Sequence, residues 1–173
     1  ATESAVKSMD LSNSRIVAFA THGLVAGDLK NVEPALVLTP PKKGTALDDG
    51  LLTASEVAQL KLNANLVILS ACNTAAGDDS NGAEGLSGLA KAFFYAGSRA
   101  LLVSHWPVAS DAAVKLTTGM LRHRANNPTA GRADALRYSM LALMNDEENP
   151  HYAHPLFWAP FVGVGEGGNY AAK

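Results

Sequence analysis

Asn65-Leu66-Val67-Ile68-Leu69-Ser70-Ala71-Cys72-Asn73-Thr74 is the stretch that decides how the chain is read. Leu66 to Ser70 has the apolar run of a strand buried on both faces, as a parallel sheet requires. Cys72, the only cysteine in the chain, follows where that strand stops. Asn73, Gly77, Asp78, Asp79, Ser80, Asn81 and Gly82 then supply turn residues. A lone thiol at the carboxyl end of a buried strand, next to a polar loop, stands where open α/β sheets place their ligands.

The 173 residues suffice for one domain with a sizeable core. Hydrophobic residues make up 47% and charged ones 17%, which excludes a disordered or mainly solvating chain. A formal charge of -2 leaves no basic footprint for nucleic acid or an anionic membrane surface. No apolar run approaches the roughly 18 residues that a membrane-spanning helix needs. Ala1 to Asp10 mixes charges and lacks the apolar core of a signal peptide. One cysteine allows no internal disulfide, which fits a reducing compartment. The first residue is alanine, as expected of a processed product or a fragment of a longer chain.

Along the chain, Glu3 to Met9 reads as a short helix and Arg15 to Ala20 as a buried strand ending in Thr21-His22-Gly23, where glycine permits a sharp turn. Ala35 to Thr39 reads as an edge strand stopped by Pro40 and Pro41. Leu52 to Leu60 is a helix opened by a Thr53/Glu56 capping box. Leu66 to Ala71 is the central strand. Gly85 to Tyr95 is an amphipathic helix with Gly97 as its carboxyl cap. Arg99 to Ser104 is a third buried strand, running into His105-Trp106-Pro107. Ser110 or Asp111 caps a long helix to about Ala125, with Val114, Leu116 and Leu121 inward. Gly131 to Met144 is another helix, Asn145 to Pro155 a loop, and Phe157 to Val164 a last strand before a Gly-rich tail. Strands alternating with helices predict a parallel, doubly wound sheet, and no repeat or low-complexity linker divides the chain.

Three strand ends of that sheet carry Thr21-His22-Gly23, Ala71-Cys72-Asn73 and Ser104-His105-Trp106. A thiolate is a strong nucleophile, and an imidazole can take its proton and later protonate a leaving amine. His22 and Cys72 lie 50 positions apart, each after a buried strand, and adjacent strands run about 5 Å apart. The pair therefore reads as a dyad for acyl transfer, with the N–H groups of Gly23 and Cys72 as oxyanion donors. No carboxylate is obviously positioned to orient His22, so a dyad is expected, and a backbone carbonyl could hold the imidazole. The plainer account is an inert buried thiol and a turn histidine. Caspase-type signatures favour the dyad, because their histidine precedes an Ala-Cys pair by about 50 residues.

Several separate motifs occur together and in order: Ala20-Thr21-His22-Gly23; Asp49-Gly50-Leu51-Leu52-Thr53-Ala54-Ser55-Glu56; Leu69-Ser70-Ala71-Cys72-Asn73-Thr74; Gly85-Leu86 with Ala90-Lys91-Ala92-Phe93; Ala96-Gly97-Ser98-Arg99; Trp106-Pro107-Val108; and His154-Pro155 with Trp158-Ala159-Pro160-Phe161. From about residue 13 to 166 the chain resembles a CHAT domain, the caspase-like peptidase domain often found after tetratricopeptide repeats in bacterial proteins. The resemblance implies a three-layer α/β caspase-haemoglobinase fold with a mostly parallel sheet flanked by helices. It implies a cysteine endopeptidase that acts on a protein or peptide substrate; no cofactor or metal is expected, and the bacterial cytoplasm is the expected location. It implies His22 and Cys72 as the catalytic dyad, Gly23 in the oxyanion hole, Ser70 lining the pocket for the residue before the scissile bond, and Ser104, His105 and Trp106 bordering the substrate groove. Two features depart from it. Many members carry an acidic residue soon after the Trp-x-Val stretch, whereas here Ala109 and Ser110 precede Asp111. The first strands of a whole domain should also precede residue 1, so residues 1–173 are expected to be the carboxyl-terminal part of the domain. An upstream tetratricopeptide-repeat or other sensor region, or a missing amino-terminal piece, is the expected partner, covering an exposed sheet edge.

Asp78, Asp79 and Glu84 read as a solvated acidic loop, with a pocket for a basic substrate residue as the alternative. His151 and His154 lack a third ligand for a metal. Gly163 to Gly168 lacks the Lys-Ser/Thr of a phosphate loop. The alternative to a peptidase is a catalytically silent caspase-like interaction or signalling module. A nucleotide-binding domain is disfavoured, because no Gly-rich loop joins a strand to a helix.

Overall fold

The computed structural model describes residues 1–24, 33–45, 47–70 and 88–168. Its centre is a four-stranded sheet built from β1 (Ile16–Phe19), β5 (Leu66–Leu69), β6 (Ala100–Ser104) and β7 (Phe161–Gly165), in that spatial order. β1, β5 and β6 run parallel, and β7 closes one edge antiparallel to β6. A second, antiparallel sheet joins β2 (His22–Leu24), β3 (Ala35–Val37) and β4 (Leu51–Thr53).

β5 and β6 are buried along their whole length, as the continuous apolar run predicts. Alternation sends Val67, Leu69, Leu101 and Val103 to one face and Leu66, Ile68, Ala100 and Leu102 to the other. On the first face they pack with Leu36 and Leu52 of the small sheet, Val57 of α2 (Ala54–Val57), and Leu89 and Phe93 of α3 (Gly88–Tyr95). On the second they meet Leu116 and Met120 of α4 (Ser110–Asn126) and Ala135, Leu136 and Leu143 of α5 (Arg132–Met144). The result is the expected mostly parallel sheet flanked by helices on both faces, consistent with a caspase-like fold.

Helix ends follow local chemistry. The Thr53/Glu56 capping box forms at the start of α2. At the end of α3, the N–H of Ser98 donates to Phe93 O and that of Gly97 to Phe94 O, both at 3.0 Å. That is a Schellman motif with Gly97 at φ +107°. The amino-terminal helix α1 (Glu3–Ser8) is fastened by a buried acid. Glu3 Oε2 accepts from the N–H groups of Asp49 at 2.8 Å and Gly50 at 3.0 Å, and Oε1 accepts from Lys7.

Several elements differ from the sequence reading. Among the described residues β1 is an edge strand rather than a buried one: Phe19 is buried, but Ile16 is 45% exposed. His22-Gly23 does not form a turn after β1 but begins the second sheet, in which β3 is the central strand instead of an edge. Leu51 to Val57 splits into β4 and the single turn of α2. α4 has Ala109 rather than Ser110 or Asp111 at its amino cap, with no side-chain bond because alanine has no acceptor, and Val114 is 58% exposed. The segment read as a loop after α5 contains two 3-10 turns, Pro150–Ala153 and Pro155–Phe157. Phe157 belongs to the second of these, so the last strand starts only at Phe161.

Candidate active site

The parallel strands β1, β5 and β6 deliver their carboxyl ends to the same end of the sheet. β1 and β5 are joined there by the N–H of Ser70, which donates to Phe19 O at 3.0 Å. From this point one chain runs on through Ala20 and Thr21 to His22, and the other leaves β5 at half-buried Ser70, two positions before Cys72.

His22 is exposed and lines a cleft of about 460 Å3 with Phe19, Thr21, Val37 and Thr39. It stands opposite Val37 in the small sheet. Along β3 and its flanks, Ala54 N donates to Pro34 O at 2.9 Å and Leu38 N to Gly50 O at 2.7 Å. Even-numbered positions of this strand thus turn their peptide groups to β4, and Val37 turns its own to β2. By the same alternation Gly23, opposite Leu36, directs its N–H and C=O away from β3, toward the outer edge of the small sheet. The Thr21 hydroxyl donates to Val37 O, tying the crossing between the two sheets to that carbonyl.

The end of β6 borders the same region. Ser104 is buried opposite Phe161. His105 is exposed and held through its N–H, which donates to Pro160 O at 3.0 Å. Trp106, 36% exposed, donates its indole N–H to the backbone Leu156 O at 3.2 Å. The expected site residues therefore divide in two. His22, Gly23, Ser70, Ser104, His105 and Trp106 lie at the carboxyl ends of the sheet's parallel strands or just beyond them. Cys72, Asp78, Asp79 and Glu84 lie outside the described residues.

Asp111 accepts from the Tyr152 hydroxyl at 2.6 Å and from Ala112 N at 2.9 Å. These bonds, the phenol first, hold its carboxyl below the usual range, and the phenol is pushed up to about 12. Lys115 pairs with Asp146 at 2.5 Å and lies over the Tyr152 ring, so the cluster braces α4 against the first 3-10 turn. His151 packs edge-on against Phe157, and His154 Nδ1 accepts from Leu156 N at 3.2 Å. Among the described residues, no group of three or more His, Cys, Asp or Glu is arranged to hold a metal ion. Sequence reasoning missed the Thr21 and Tyr152 contacts. Their partners lie 16 and 41 positions away, and no local pattern announces them.

Comparison with known proteins places these features in a family. The chain is 31% identical to tetratricopeptide repeat protein 28 of Mus musculus over 115 residues, 66% of this chain and 4% of that protein. It is 31% identical to tetratricopeptide repeat protein 28 of Homo sapiens over 122 residues, 69% of this chain and 4% of that protein. The chain thus matches a small part of the length of these relatives. The CHAT domain family model matches residues 1–166, and the chain belongs to the CHAT domain family.

Proposed function

We propose that the protein is a caspase-like cysteine endopeptidase whose dyad is Cys72 and His22. The observation that carries the reading is the 3.0 Å bond from Ser70 N to Phe19 O. It pins two adjacent parallel strands together where both leave the sheet. Cys72 follows Ser70 by two positions in the sequence. His22 is three positions beyond Phe19. Both residues follow closely in sequence on strand ends at the side of the sheet where α/β folds carry their chemistry, which supports the reading.

In this mechanism His22 takes the Cys72 proton, and the thiolate attacks the substrate's carbonyl carbon. The oxyanion is met by the outward N–H of Gly23 and that of Cys72. The C–N bond breaks, the leaving amine takes the proton from His22, and a thioester remains on Cys72. A water molecule, deprotonated by His22, attacks the thioester; the carboxylic acid leaves and the thiol is restored. Ser70 and the Ser104–Trp106 segment border the substrate. The relatives' name supports a tetratricopeptide-repeat region as the neighbour of this domain in a longer protein.

Digestion of a mixed peptide library by the full-length protein tests the reading. New amino termini are expected with the wild type and not with Cys72→Ala or His22→Ala. Equal cleavage by Cys72→Ala, or none by the wild type, favours the silent interaction module instead.

A further inference from the structure

We infer that Thr21 is a positioning residue for His22, fixing the imidazole through a hydroxyl bond that clasps the crossing between the two sheets. The inference rests on the dyad reading above. β1 ends at Phe19 and β2 begins at His22, so Ala20 and Thr21 alone carry the chain from the large sheet to the small one. A two-residue crossing leaves the direction of the next Cα–Cβ bond free to vary unless something holds it. The Thr21 hydroxyl holds it by donating to Val37 O.

Val37 is also the residue opposite His22 in the ladder, and its peptide groups face β2. The acceptor of the hydroxyl bond and the backbone that pairs with His22 are therefore the same residue. The clasp and the ladder act on His22 from consecutive positions, and β3 is itself the central strand of its sheet, flanked on its other side by β4. Leu36, next to Val37, is fully buried in the core, so the acceptor strand is anchored in packed material. Among the described residues no carboxylate bonds to His22. Backbone placement is one means of aiming the ring, and small errors of aim cost rate steeply.

The chain's single cysteine supplies a direct readout, because iodoacetamide alkylation then reports on Cys72 alone. A thiol paired with imidazole alkylates at pH values well below the ordinary cysteine range of about 8.5. The wild type is expected to show this acid-shifted profile, and His22→Ala to lose it. Thr21→Val keeps the shape and removes the donor. It is expected to move the profile toward the His22→Ala curve, with alkylation near pH 6.5 slowed about tenfold. Thr21→Ser restores the donor and is expected to follow the wild type within about threefold. A Thr21→Val profile that overlays the wild type, with His22→Ala still shifted, overturns the positioning role and leaves the dyad standing. A Thr21→Ser profile as shifted as that of Thr21→Val shows that packing of the methyl group, not the hydroxyl, matters. Coincident wild-type and His22→Ala profiles remove the dyad and this inference with it.

Discussion

The phenol of Tyr152 donates to the carboxylate of Asp111 at 2.6 Å, joining the first turn of α4 to a 3-10 turn 41 residues later. The Tyr152 ring is buried, and its hydroxyl bonds to Asp111 from across the fold. Tyr152→Phe keeps the ring's packing and removes the bond. The Asp111 carboxyl is expected to rise toward its ordinary range in an NMR titration, and the melting temperature to fall by a few degrees. The sign at alkaline pH follows from the raised phenol. A group whose folded pKa exceeds its unfolded value contributes stability below the unfolded value, about 10, and loses it as pH rises through the folded one, about 12. Wild type, but not Tyr152→Phe, is expected to lose this increment across that window. An unchanged Asp111 titration in the variant would contradict the assignment.

Acid stability turns on Glu56. Burial by itself would raise its carboxyl, but Lys7 at 2.6 Å, with the amide and hydroxyl of Thr53, outweighs burial and holds it below the usual range. A carboxylate shifted down stabilises the fold above its unfolded pKa, about 4.3, and loses that contribution as pH falls through the folded value. Asp111 and Asp146 are shifted the same way, by Tyr152 and Lys115 respectively. Melting temperature is expected to be level above about pH 5 and to decline below about pH 4. Glu56→Gln should be less stable than the wild type at neutral pH and show a shallower acid decline. Parallel curves for the two proteins would show that Glu56 plays no part.

Gly97 ends α3 in a left-handed conformation, and a Cβ there would stand 2.3 Å from Leu62 O. Leu62 is fixed in turn, because its N–H donates to Ala96 O at 2.8 Å. Gly97→Ala combines the left-handed penalty with a backbone collision, and is expected to cost about 2 kcal/mol or more in urea unfolding. A loss below about 0.5 kcal/mol would mean that this turn relaxes readily.

What could be read from the sequence follows the physics of burial. β5 and β6 were legible because strands covered on both faces carry unbroken apolar runs, and Gly97 because helix ends have a local signature. The small sheet was not. His22 to Leu24 is three residues long, too short for a period, and Thr-His-Gly has the composition of a turn. β1 misled in the other direction: Ile16 and Val17 look like core, yet among the described residues the strand lies at the sheet's edge and Ile16 is largely exposed. Asp111 looked like a helix cap, but the cap position falls to Ala109, and the Asp111 carboxylate accepts from a hydroxyl distant in sequence. The candidate site was legible where strand ends could be counted, at His22, Ser70 and Ser104–Trp106. How Thr21 is tied down depends on a strand pairing that no local pattern encodes.

The central claim, that Cys72 is a nucleophile served by His22, is tested most directly by covalent capture. The full-length protein is incubated with a panel of peptidyl acyloxymethyl ketones, and intact-mass spectrometry with peptide mapping reads the adduct. The account predicts one adduct per chain on Cys72 in the wild type, none in Cys72→Ala, and a severe loss of labelling rate in His22→Ala. No adduct in the wild type, or an adduct formed as fast in His22→Ala, would contradict it.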